Sequence, residues 1–164
     1  MTHGQTLAAE LQLMFAPTRA VLERIPADQL AWKPHERSMT IGRLGMHVAE
    51  LPHWIVRSFE SAEFDFATAA YVPVVPTDLE QILDMQQATW DRAIGLLQNA
   101  SDADLAVAWS LKRGGHTIWS IPRSGIAARE MMHITHHRGQ LTVFLRLLDV
   151  PVPELFGPTA DTRR

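Results

Sequence analysis

A chain of 164 residues is near the usual size of one domain with a substantial core, and 46% hydrophobic against 20% charged residues is a globular balance, neither disordered nor membrane-embedded. A formal charge of -3 and a pI of about 6.2 leave no global positive field, which disfavours nucleic acid or anionic membrane as a partner. The absence of cysteine removes disulfides, thiolate zinc sites, iron–sulfur clusters and a cysteine nucleophile, so any metal must take His, Asp or Glu.

The first twenty residues set Glu10 and Gln12 into their apolar pattern and lack a basic start, unlike a secretory signal. No apolar run approaches the roughly 18 residues of a membrane span, and the cytoplasm is the expected compartment. From Gln5 to about Arg24, Leu7, Leu11, Met14, Phe15, Val21 and Leu22 recur near helical spacing and predict a first helix. Pro17 lies inside it and frees the carbonyl of Leu13, so a kink or an early break is expected. IPADQLAWKPHERSM carries two prolines and no sustained period and reads as a loop.

Thr40 is placed to cap a second helix that runs through Ile41, Leu44, His47, Val48, Leu51, Trp54 and Ile55 to about Glu60. Pro52 deprives the Val48 carbonyl of its partner and predicts a bend. SAEFDFATAAYVPVVP reads as a connection, because Pro73 and Pro76 oppose a clean helix or central strand. Thr77 and Glu80 form a T-x-x-E capping box for a third helix, whose face is Leu79, Ile82, Leu83, Trp90, Ala93, Ile94 and Leu97. LAVAWSLKRGGHTIWSI predicts either a short hairpin around Gly114-Gly115 or an irregular lid. The last helix opens near Pro122 and carries Ile126, Met131, His133, Ile134, His137, Leu141, Phe144 and Leu148.

Four amphipathic helices without a convincing strand set predict an all-α four-helix bundle whose long connections permit crossovers. Residues 1–150 are expected to form this single domain and 151–164 a C-terminal tail. No repeat of solenoid period is visible.

MMHITHHRGQL crowds three of the eight histidines into five residues. Residues four apart share a helix face, so His133 and His137 can direct both imidazoles at one point. His136 lies about 100° around the axis from His137 but about 60° from His133, which leaves a His133–His136 pair as an alternative. Both His133 and His137 occupy an apolar face, and His47 occupies the apolar face of another helix. An unpaired neutral imidazole in a core costs on the order of 1 to 3 kcal/mol. One divalent cation would satisfy all three, and hydrogen-bonded core histidines are the competing reading. Ile134 stands where H-E-x-x-H requires its general base, which removes a zincin-type protease.

The H-x-x-x-H-R-G-Q string from His133 to Gln140, the upstream TIGRLGMHVAE and the preceding LAWKPHERSMTIGRL resemble the DinB family, over most of the chain from the first helix through Leu148. The resemblance implies a four-helix bundle of unusual connectivity, often homodimeric, in which three histidines bind a divalent metal such as nickel or zinc. The ligands it implies are His47, His133 and His137. Three protein ligands leave open positions, as catalytic rather than closed structural metals do. Some relatives resemble transferases or isomerases that use a low-molecular-weight thiol, and lack of cysteine fits an external thiol as well as water. The expected function is therefore a metal-dependent S-transferase or small-molecule hydrolase, with no catalytic side chain assigned. A non-catalytic metal-binding or stress-response protein and a metal-free helical dimer with structural histidines are the alternatives.

Glu50 and Glu130 each stand three residues from an implied ligand, where they could orient an imidazole or accept a proton, although helix carboxylates usually face solvent. Arg138 is a candidate for binding an anionic substrate or for pairing with a carboxylate, and Gly139 for close helix approach. Gln140 could hydrogen-bond in or beside the site. Trp32, Trp54, Trp90, Trp109 and Trp119 are either a pocket lining or core. His3, His35, His53 and His116 read as surface or loop residues.

Overall fold

Side-chain caps begin most of the helices. In the computed structural model, which describes residues 1–69 and 72–162, Thr2 accepts from the Gln5 backbone while the Gln5 side chain accepts from Thr2 N. This closed box opens α1 (His3–Leu22). Pro17 neither ends nor splits α1. Leu13, whose carbonyl loses its helical partner, is 77% exposed, so solvent can serve in place of the missing donor. Thr40 caps α2 (Ile41–Glu50) by accepting from Arg43 N at 3.1 Å.

Pro52 does more than bend the second helical segment. It divides the segment into α2 and α3 (His53–Glu60). Leu51 and Pro52 both keep right-handed helical dihedrals, so the chain turns without leaving the helical region. The cap of α4 (Leu79–Asn99) also differs from expectation: Asp78, not Thr77, accepts from Gln81 N at 2.9 Å. Gln81 completes the arrangement by accepting from Thr77 N at 3.1 Å, and Glu80 lies in the first turn beside the positive end of the helix dipole.

The all-α expectation is corrected by a three-stranded sheet. After the short α5 (Asp102–Ala106), β2 (Ala108–Arg113) and β3 (His116–Pro122) form an antiparallel hairpin. Gly114 and Gly115 turn it with φ of 61° and 79°, the pair of positive values that a two-residue primed turn requires. The hairpin is thus the form taken by the glycine-containing stretch. β1 (Glu63–Asp65) adds to β2 in parallel, pairing Phe64 with Leu111. It lies in the segment expected to be only a connection; Pro73 and Pro76 come well after its three residues and do not oppose it. Ala70 and Tyr71 of that connection, and Arg163 and Arg164 of the tail, lie outside the described residues.

α1 packs on α4 and on α6 (Arg123–Leu147), and α2 and α3 pack on the same two helices. Leu11, Leu22, Ile41, Leu44, Ile55, Ile82, Trp90, Leu97, Ile134 and Leu141 are completely or almost completely buried between them. Each such Leu or Ile contributes about 1.5 to 3 kcal/mol by leaving water. Trp90 belongs to this core, where its Nε1 donates to the Leu11 carbonyl at 3.2 Å. Beyond α6 the chain folds back, and Asp161 accepts from Arg146 Nη1 at 3.0 Å and from Val152 N at 2.9 Å.

Candidate metal centre

The four-residue spacing on α6 puts His133 and His137 on one face, and the apolar face of α2 carries His47 toward them. Their ring centroids are 4.6 Å apart for His133 and His137, 5.1 Å for His47 and His133, and 4.8 Å for His47 and His137. One ligand nitrogen from each lies within 4.8 Å of the others, a group that could hold a metal ion. Placing Pro52 one turn beyond His47 does not turn this histidine away. His136 is exposed on α6 and outside the trio, its ring touching only the near side of His137 at 4.8 Å.

Each imidazole is held by a polar side chain three residues away on its own helix. His47 Nδ1 lies 3.3 Å from Glu50 Oε1, His133 Nδ1 3.4 Å from Glu130 Oε2, and His137 Nδ1 2.7 Å from Gln140 Oε1. With Nδ1 engaged, Nε2 is left as the donor to an ion, the division of labour seen when carboxylates orient metal-binding imidazoles. Glu50 and Glu130 therefore do not face solvent; Glu50 also accepts from Arg43 Nη2 at 2.8 Å, and Glu130 is 4% exposed. Arg43 was invisible as a site residue, although it lies seven positions before Glu50 on the same helix face. Burial, with the neighbouring imidazoles, holds the His137 ring down to about 4 against the opposing pull of Gln140, so it is neutral at neutral pH.

The donor set fits a divalent ion. Nε2 of His133 and of His137 are 2.9 Å apart. Two nitrogens bound at right angles to one ion at 2.0 to 2.1 Å would be about 2.9 Å apart. The other nitrogens lie within 4.8 Å, so capture of an ion draws no pair of them together by more than about 2 Å, within reach of side-chain torsions.

Beside the trio opens a cavity of about 260 Å³ that His47, Glu130 and His133 line on one side. Trp54, Phe66, Trp109 and Trp119 supply its aromatic wall, with Leu111 and Arg129 completing the lining. Three of the five tryptophans thus border the pocket, Trp109 among them from an almost fully buried position, while Trp90 is core and Trp32 packs edge-on against Phe144 at 5.7 Å.

Several neighbours differ from their sequence reading. Arg138 is buried, and it meets a hydroxyl where a carboxylate was expected: Nη1 donates to Thr18 Oγ1 at 3.1 Å, tying α6 to α1. A Cβ added at Gly139 would meet nothing within 4 Å, so this glycine does not serve close helix approach. His53 opens α3 half-buried, and burial lowers its ring below the ordinary histidine range. His3, His35 and His116 are exposed as expected.

A sequence model of the DinB family matches residues 1–161. The chain belongs to the DinB family. Solved DinB-like proteins share the fold: one from Bacillus cereus superposes with a TM-score of 0.70 at 21% identity, covering 92% of this chain and 95% of that one. A second, YjoA from Bacillus subtilis, gives 0.68 at 15% identity, with coverage of 91% and 96%. The Bacillus subtilis protein YrdA, itself described only as uncharacterized, is 23% identical over 152 residues, 88% of this chain and 82% of its own length. Among the described residues this DinB-like fold is mostly helical, six helices with a small three-stranded sheet.

Proposed function

We propose that this DinB-family protein is a divalent-metal-dependent enzyme acting on a small molecule, with His47, His133 and His137 as the metal-holding residues. The observation that carries the reading is the convergence of three imidazoles, each fixed through Nδ1 by a neighbouring Glu or Gln, at the edge of an aromatic cavity. A bound nickel or zinc ion would supply Lewis acidity that makes a thiol or water nucleophilic near neutral pH. The chain's residues do the rest. The two carboxylates hold the ligand rings in place and offset the charge of the ion. The aromatic wall excludes water from one side. Glu130, buried and lining the cavity, is the group positioned to accept the proton that a thiol or water gives up.

Between the two chemistries, S-transfer from a low-molecular-weight thiol is the reading we put first, with hydrolysis second. A cytoplasmic location, where such thiols are kept reduced, belongs to the same proposal; among the described residues no helix is long and apolar enough to cross a membrane. A homodimer is also part of it, supported by the exposed apolar side chains Leu13, Met132 and Phe156 on one face.

The test is elemental analysis of protein purified without an affinity tag, followed by turnover of cellular thiols with electrophilic acceptors, with and without chelator. One equivalent of metal, lost in His47→Ala, His133→Ala and His137→Ala, with chelator-sensitive turnover, is expected. Metal held without any turnover would point to the non-catalytic binding protein.

A further inference from the structure

The geometry points to a substrate class for the cavity: a small planar aromatic acid, its ring against Trp54 and Trp119, with Trp109 buried behind them, and its carboxylate on Arg129. This deepens the proposed function and rests on it for relevance to turnover, but binding itself requires only the residues of the wall.

The shape of the wall selects a flat apolar body. Trp54 meets Trp109 at 6.1 Å and 65° and Phe66 at 6.1 Å and 63°, and Trp109 meets Trp119 at 5.6 Å and 51°. Trp109, 1% exposed, backs Trp54 and Trp119, and these two partly exposed rings, set at an angle through it, suit another aromatic ring better than a flexible alkyl chain. Trp109 keeps its own Nε1 occupied with Ser61 Oγ at 3.4 Å, so that edge of the wall presents no spare donor. A volume of about 260 Å³ admits a molecule of one or two rings.

The charge at the rim selects an anion. Arg129 lies over the Trp119 ring at 5.1 Å, and no ion pair among the described residues uses it. Other arginines are committed elsewhere: Arg43 to Glu50, Arg123 to the Ser58 carbonyl at 2.7 Å, and Arg57 to the Phe64 ring at 4.8 Å. Glu130, the acid of the cavity, is turned to His133. Arg129 and His133 stand four residues apart, on one face of α6 and about 6 Å along its axis. A carboxylate on Arg129 therefore lays the body of the molecule along the wall, toward the histidine trio.

Calorimetric titration of chelator-treated and then dialysed protein with 2-naphthoate, 2-naphthalenemethanol and 2-naphthylmethylammonium tests this. The acid is expected to bind about tenfold tighter than the alcohol, and the ammonium weakest. Arg129→Gln, an exposed change that leaves the fold alone, should erase the preference for acid while leaving the alcohol unchanged. Trp119→Leu should weaken acid and alcohol together. An ammonium that binds best, an acid preference that survives Arg129→Gln, or one that appears only after zinc is restored would each overturn the proposal. Because the decisive titration contains no metal, loss of the metal reading and loss of this one give different results.

Discussion

Glu130 stands three residues before His133 with its carboxylate 3.4 Å from the ring Nδ1, and Glu50 stands three residues after His47 at 3.3 Å. Two carboxylates thus approach one trio from opposite helical directions, one up α6 and one down α2. The third ring has an uncharged partner, Gln140.

This asymmetry gives a first prediction. Glu130→Gln should weaken zinc binding by about 10- to 100-fold, through loss of charge and of ring orientation, with the fold intact. Gln140→Ala, at an exposed amide, should cost less. Competition against a chromophoric chelator measures both, and equal affinities for wild type and Glu130→Gln would remove Glu130 from the role assigned to it.

Trp90 is fully buried and donates to the Leu11 carbonyl across the α1–α4 packing. Trp90→Phe should lower stability by about 2 to 3 kcal/mol, from the lost hydrogen bond and the space left behind. Urea unfolding at unchanged m-value provides the measurement.

Asp65 accepts from Gly115 N at 2.6 Å and from Gly114 N and Ala67 N at 2.8 Å, and these bonds hold its carboxyl below the ordinary value of 3.8. A lowered folded value means that this contribution is complete above about 3.8 and is lost as the pH falls through the folded value. Protection of the Gly114 and Gly115 amides, measured against their intrinsic exchange rates, should therefore fall as the pH drops through the folded value. Asp65→Asn should lower that protection at neutral pH as well and remove its dependence on pH.

Asp161 is pulled down to about 2 by hydrogen bonds from Arg146 and the Val152 backbone. Its hold on the tail is complete above an ordinary aspartate value and is lost only as pH falls toward 2. Asp161→Asn should leave α6 helical and open the segment around Val152 to limited proteolysis at neutral pH. A cleavage pattern like that of wild type would show that the tail is held by Val152 and Leu155 instead.

Where a feature depends on neighbours in the chain, it was legible. Thr40 as a cap, the apolar stripe of α6, the Gly-Gly turn and the shared face of His133 and His137 are all local. β1 was not, because three residues carry too short an alternation to register, and its partner in β2 comes more than forty positions later. Thr77 and Asp78 are adjacent and both competent to cap; the sequence pattern favoured the hydroxyl, while the folded chain uses the carboxylate. Pro52 announced a bend, but helical dihedrals on both sides hid the division of the helix. Trp54, Trp109 and Trp119 come from α3, β2 and β3, so only tertiary packing could separate them from Trp90.

The small sheet has a further effect. All residues that hold or steady an imidazole come from α2 and α6, whereas most of the facing wall comes from β2, β3 and the chain around β1. The imidazole trio and most of the aromatic lining thereby stand on separate pieces of backbone. A substitution at Leu111 or Trp119 reshapes what the cavity admits without disturbing any side chain of the trio, so a lineage can vary what fits beside the three histidines while the histidines stay as they are.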